Sequence, residues 1–271
     1  MMEIFAQIVL LTSALPILAA WGALRRTSLS HALAWTATAW AAWVVLAFSA
    51  AHLDGASLLG MRYLSLAMIG CAGVAVLGAR RPGVAAWNFV VLGLLAVLLL
   101  SWAEGMLLGS AVQLGEVRAV FLAATLATAV LNYLPTRLAP AALLLGVGCG
   151  LEMWALLEPA AAKRTLGAHP WPAFLLVGSA PWAAWAAVNT RREAVAAADR
   201  LWLHFRESYG LVWSQRVREQ FNNAARHAGL PVELHWRGLI PTTASPSAET
   251  DAASLQTLTA LLKRFGAAAG E

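Results

Sequence analysis

The sequence predicts an all-α integral membrane protein, a seven-helix transmembrane bundle with its N-terminus outside and its C-terminus inside. A small α-rich cytoplasmic C-terminal domain follows, with room for one short strand. Three observations predict this. Of the 271 residues 60% are hydrophobic and only 12% charged, at a mean hydropathy of +0.66, whereas a soluble domain is about one quarter charged. Seven apolar runs each approach the roughly 20 residues that a helix needs to cross the hydrocarbon core. The cations fall between these runs, more densely in alternate connections. The same composition excludes intrinsic disorder, a collagen-like repeat and a disulfide scaffold.

The runs lie near residues 4–23, 31–51, 58–79, 84–102, 116–134, 138–157 and 170–188. Charge or helix breakers separate them: Arg25 and Arg26, then Asp54 and Gly55, then Arg80, Arg81 and Pro82, then Glu104 to Glu116, Pro135 to Arg137, and Pro159 to Pro170. A cleavable signal peptide carries its cations before its apolar stretch. The first run has none before it and Arg25-Arg26 after it, so it is expected to stay as a helix.

Orientation follows from the excess of Arg and Lys in cytoplasmic connections. With the N-terminus outside, the cytoplasmic side holds Arg25, Arg26, Arg80, Arg81, Arg137, Arg191 and Arg192, and the outer side Arg62, Arg118, Lys163 and Arg164. The acidic Asp54, Glu104, Glu116 and Glu158 fall outside too. Tryptophans favour membrane interfaces; Trp21, Trp35, Trp87 and Trp185 lie near the inner boundary and Trp102, Trp154 and Trp171 near the outer one. Trp40 and Trp43 lie deeper and are expected to pack between helices. Lysine is nearly absent and alanine abundant, a bias that a GC-rich bacterial genome produces. The expected location is therefore the bacterial cytoplasmic (inner) membrane, multi-pass.

Close helix approach in lipid needs small side chains at four-residue spacing. Ala142, Gly146 and Gly150 in the sixth run, and Ala67, Cys71, Ala75 and Ala79 in the third, are expected as packing seams. A charge in the hydrocarbon is costly, which singles out Glu152. An ion pair of Glu152 with Arg118 is expected, with Glu104, Glu116 or Arg62 as further members of an intramembrane polar site. Asn88, Asn132 and Tyr133 form a second polar cluster near the inner boundary, read as interhelical hydrogen bonding.

No nucleotide, hydrolase or metalloprotease motif occurs in the chain, and the last apolar run lacks the lysine that a retinal Schiff base requires. Cys71 and Cys149 read as apolar packing residues. Neither a cofactor nor a metal is expected, and no catalytic residue is nominated. No family resemblance is specific enough to name.

From Arg191 onward charge rises, and the domains divide at 1–189 and 190–271. Val195, Ala198, Trp202, Phe205 and Tyr209 recur with helical period, as do Trp213, Val217, Phe221, Ala224 and Ala228. Gly210 between them predicts a helical hairpin, the first helix continuing from the last span. Alternation of Val232, Leu234 and Trp236 with charged neighbours predicts one strand. Residues 241–251 read as a flexible linker. Leu255, Leu258, Leu262 and Phe265 form the stripe of a last helix, capped by Thr250 or Asp251 and stopped by Gly266.

So small a tail buries little core, and it is expected to lean on the membrane, on a second copy or on a protein partner. Arg191, Arg192, Arg200, Arg206, Arg216, Arg218 and Arg226 make its surface basic and are the candidate contacts to lipid or partner. Nucleic acid ranks last, because no reading motif accompanies the charge. The expected function is a non-enzymatic membrane anchor or assembly protein whose tail docks a partner or the lipid surface. The alternative is a small-solute or ion transporter built on the Glu/Arg site.

Overall fold

The computed structural model describes residues 1–80, 84–107, 112, 114–166, 170–190, 196–242 and 248–266. Helices α1 (Met2–Thr12) and α2 (Ala14–Leu24) form one apolar rod that bends at Ser13. Pro16, three residues on, has no N–H to give the preceding turn. Trp40 fills the irregularity by donating from Nε1 to Leu10 O (3.0 Å) and Ser13 Oγ (3.1 Å). Helices α3 (Ser30–Ser49), α4 (Gly55–Leu77), α5 (Val84–Leu107), α6 (Glu116–Leu131), α7 (Ala139–Leu157), the short α8 (Pro159–Leu166) and α9 (Trp171–Asn189) follow.

Among the described residues, six helices are long and apolar enough to cross a membrane: Met2–Leu24, Ser30–Ser49, Gly55–Leu77, Ala85–Leu107, Ala139–Leu157 and Trp171–Asn189. This is consistent with an all-α, multi-pass membrane protein. The expected seventh, 116–134, is helical over only Glu116–Leu131, 16 residues. Pro135 biases the residue before it out of helix. At 1.5 Å per residue α6 is about 24 Å long, short of the roughly 30 Å hydrocarbon core.

Helix α4 is the hub, packed on α3, α5, α6 and α7, while α9 lies between α7 and α1. Alanine, glycine and serine let the backbones approach. A Cβ on Gly73 would stand 2.7 Å from Ala129 Cα, one on Gly148 2.8 Å from Val177 Cγ2, and one on Gly178 2.7 Å from Leu10 Cα. The α4–α6, α7–α9 and α1–α9 contacts therefore depend on these positions. Trp43 is fully buried, donates to Ser65 O (3.1 Å) and meets the Phe174 ring edge-on. Large apolar side chains such as Phe5, Leu18, Phe89, Val97 and Val120 point outward, the inverse of a water-soluble bundle.

The remaining residues form a tail seated on one end of the bundle, hereafter the tail end. Helix α10 (Ala197–His227) bends at Gly210, strands β1 (Val232–His235) and β2 (Gly238–Pro241) pair antiparallel, and α11 (Ala248–Leu262) runs into a 3-10 turn at Lys263–Phe265. Three expectations are corrected. The halves of α10 meet at a single residue and not through the two to five that a helical hairpin uses. Thr190 is extended, so α9 does not run on into the tail. A second strand exists, because Trp236 and Arg237 make a two-residue turn that folds Gly238–Pro241 back on β1. Within the expected linker, 243–247 lie outside the described residues; α11 begins at Ala248, ahead of the expected caps Thr250 and Asp251. Gly266 is left-handed and ends the last turn, as anticipated.

Candidate functional site

Polar groups gather at both ends of the bundle, and the far end holds two ion pairs. Asp54 caps α4 by accepting from Ser57 N–H at 2.7 Å, a bond that holds the exposed carboxylate below its usual pKa. The helix thus starts at Gly55, three residues before the expected 58, and Arg62 lies correspondingly deeper. There Arg62 Nε stands 3.3 Å from Glu152 Oε2, both side chains largely buried. Neither of those two atoms has a hydrogen-bond partner, so the pair is electrostatic contact without a satisfied network.

The expected Glu152–Arg118 pair does not form. Arg118 is in the first turn of α6, too near the end to reach Glu152, and instead grips Glu104 in the last turns of α5. Its Nη1 donates to Oε2 at 2.6 Å and its Nη2 to Oε1 at 3.0 Å, both side chains about half exposed. The structure thus divides the intramembrane set Glu152, Arg118 and Glu104 into a buried pair and a surface pair.

The packing set is also divided. Ala142 is buried and Gly146 faces Val130 of α6, with 3.1 Å for an added Cβ, but Gly150 is exposed and meets nothing within 4 Å. The tight seam of α7 runs through Gly148, two residues away. A rotation of about 200° over two residues puts Gly148 and Gly150 on opposite sides of the helix. The other expected seam, Ala67, Cys71, Ala75 and Ala79, is buried throughout.

At the centre of the tail end the polar groups are neutral and bonded. Asn132 caps α6 and enters the break at Gly210. Its backbone O accepts from Leu211 N–H at 2.7 Å, its Oδ1 from Val212 N–H at 3.1 Å, and its Nδ2 donates to Tyr209 O at 3.4 Å. A helix break leaves N–H groups orphaned, and one asparagine serves those of the second half of α10. Gly210 has φ 73° and ψ −165°, a region essentially confined to glycine. A Cβ there would lie 2.6 Å from Asn132 Cγ and 2.7 Å from its O.

Further bonds fasten the same joint. Tyr133 OH donates to Ser208 O (3.1 Å), Arg137 N–H to Glu207 Oε2 (2.6 Å), Trp236 Nε1 to Pro135 O (2.9 Å) and Trp213 Nε1 to Val76 O (3.3 Å). Ser28, between α2 and α3, donates from its hydroxyl to Ala79 O (2.8 Å) and from its backbone N–H to Phe265 O (3.2 Å), and its Oγ lies 3.0 Å from Tyr209 OH. Trp202, Phe205 and Tyr209 stack in turn, and Phe265 meets Phe205, Tyr209 and Trp213 edge-on, making one aromatic cluster of the tail. The expected cluster of Asn88, Asn132 and Tyr133 is not one site: Asn88 accepts from Trp35 Nε1 at 2.8 Å, apart from the joint.

Of the basic candidates, Arg200, Arg216 and Arg226 are exposed and Arg218 half-buried. Arg206 is corrected: it is 4% exposed, pairs with Glu207, donates to Trp236 O at 2.5 Å and lies over the Trp236 ring. It braces the tail internally and offers nothing to a partner. Arg191 and Arg192 lie outside the described residues. Residue patterning did not reveal the Asn132–Gly210 joint. Its signals were a helix-breaking glycine within an amphipathic pattern and an asparagine at a helix end.

No protein-family model matches the sequence, and comparison with curated proteins and with solved structures finds no match either.

Proposed function

We propose that the protein is a non-enzymatic anchor of the bacterial cytoplasmic membrane that holds its tail at fixed height and angle on the cytoplasmic face. There the tail docks a partner or the lipid surface. The observation that carries this is the Asn132–Gly210 joint, since a freely tethered tail has no use for three bonds and a glycine-only backbone at its attachment. In this reading α6 is a short seventh crossing. It begins beside Glu104 at the far end and ends at Gly210 in the tail, so the chain traverses the bundle seven times. Arg25, Arg26, Arg80, Arg81 and Arg137 fall in the connections on the tail's side, which supports the inward orientation.

The test compares the wild type with Gly210→Ala after gentle detergent extraction. A stoichiometric partner retained by the wild type and lost by a variant whose bundle is still folded supports the anchor. Equal recovery of that partner with an unseated tail contradicts it.

The second reading is a small-solute or ion carrier, favoured by the buried Arg62–Glu152 pair with its two unbonded atoms. Proteoliposomes that pass protons or a cation with the wild type, and not with Glu152→Gln, would replace the first reading with this one.

A further inference from the structure

The joint around Ser28 draws three basic segments together. Ser28 follows Arg25 and Arg26, its acceptor Ala79 precedes Arg80, and its other acceptor Phe265 follows Lys263 and Arg264. Cations at helix ends ordinarily serve the last carbonyls and the negative end of the dipole. Here those carbonyls are taken. Trp21 O accepts from Arg25 N–H and Leu24 O from Thr27 N–H and Oγ1. Val76 O accepts from Ala79 N–H and Trp213 Nε1, Ala79 O from Ser28, Lys263 O from Gly266 N–H, and Phe265 O from Ser28 and Tyr209. These carbonyls therefore do not need the guanidinium groups of Arg25, Arg80 and Arg264 as caps.

No described carboxylate pairs with Arg80 or Arg264. Arg264 spends one Nη2–H on Gln220 Oε1 and rests over the Phe265 ring, but its buried Nε has no hydrogen-bond partner. Burial, and after it the charge of Arg80, pulls the Arg264 guanidinium below its usual pKa. Arg25 and Arg80 are exposed. Like charges held together and paired with no described carboxylate fit a group that accepts several hydrogen bonds at once, and guanidinium matches phosphate bidentately.

We infer that Arg80 and Arg264, with Arg25 at their side, bind the phosphate group of an anionic lipid where α4 emerges from the bilayer. The site lies just past Leu77, the end of a spanning helix, which is headgroup depth if the protein sits in the membrane as proposed above. The inference rests on that reading and gives its lipid-surface option a definite location. Phosphate could also come from a soluble compound, and the experiment separates the sources.

The full chain in a zwitterionic detergent is titrated with phosphatidylglycerol or with inorganic phosphate, reading the thermal midpoint. Wild type, Arg80→Gln, Arg80→Gln/Arg264→Gln and the control Arg164→Gln, an exposed arginine of α8, are compared, with seating of the tail checked by proteolysis. Phosphatidylglycerol should raise the midpoint of wild type and control alike. It should act at about fivefold higher concentration in the single variant and about thirtyfold higher in the double variant. A response to inorganic phosphate alone, lost in the same variants, keeps the phosphate site but overturns the lipid as its source. Equal responses of wild type and Arg80→Gln with the tail still seated overturn the inference and leave the anchor standing; an unseated tail in the wild type overturns the anchor first.

Discussion

The two ends of the bundle handle polar groups in opposite ways. At the Asn132–Gly210 joint, neutral backbone and amide groups are bonded to one another, and the charges of the tail end lie around it. At the far end, two ion pairs stand about a turn or two apart, one buried and unsatisfied, one exposed and bidentate. Burial is what separates their energetics. An exposed pair in water gains little, while removing one member of a buried pair strands the other charge. The fold therefore relies on hydrogen-bond complementarity at one end and on mutual neutralisation at the other.

Breaking the buried pair should have the largest effect. Arg62→Leu or Glu152→Leu alone is expected to cost about 3–5 kcal/mol in reversible unfolding from micelles, whereas Arg62→Met/Glu152→Met together should be close to neutral. Additive losses in the double variant would show that the two side chains do not neutralise each other. Gly210→Ala comes next, at about 3 kcal/mol from backbone strain and displaced Asn132 bonds. Its readout is faster tryptic cleavage near Arg216 and Arg218, and unchanged cleavage would refute the joint. Asn132→Leu should cost about 2 kcal/mol by leaving Val212 N–H and Tyr209 O without their partner.

Packing sharpens the contrast further. Gly148→Leu should destabilise by about 1–3 kcal/mol through overpacking against Val177, while Gly150→Leu, on the open side of the same helix, should express and unfold like the wild type. Arg118→Gln is the smallest change: its exposed pair with Glu104 should leave the melting midpoint where it was.

The helices were legible in the sequence because lipid imposes a length and an apolar surface that one pass along the chain detects. Helix ends were less so. Asp54 started α4 early and moved Arg62 into reach of Glu152, and a three-residue shift in one boundary was enough to change the partner. Of the expected seam Ala142, Gly146 and Gly150, the first two pack and Gly150 does not, since spacing alone does not say where neighbours lie. Gly210 was readable as a break and Asn132 as an interhelical bonder. That the two meet across about 80 residues of chain is tertiary information with no local trace. Strand β2 escaped because Gly238-Leu239-Ile240-Pro241 does not alternate polar and apolar, and its pairing is set by the turn at Trp236-Arg237.

Hydrogen exchange at the amides of Leu211 and Val212 tests the central claim most directly. They open the second half of a broken helix, where such groups ordinarily exchange within moments, yet both donate to Asn132. In detergent the wild type should protect them to the level of the surrounding helix, and Gly210→Ala should release them. Rapid exchange in the wild type would mean that the tail is merely tethered to the bundle.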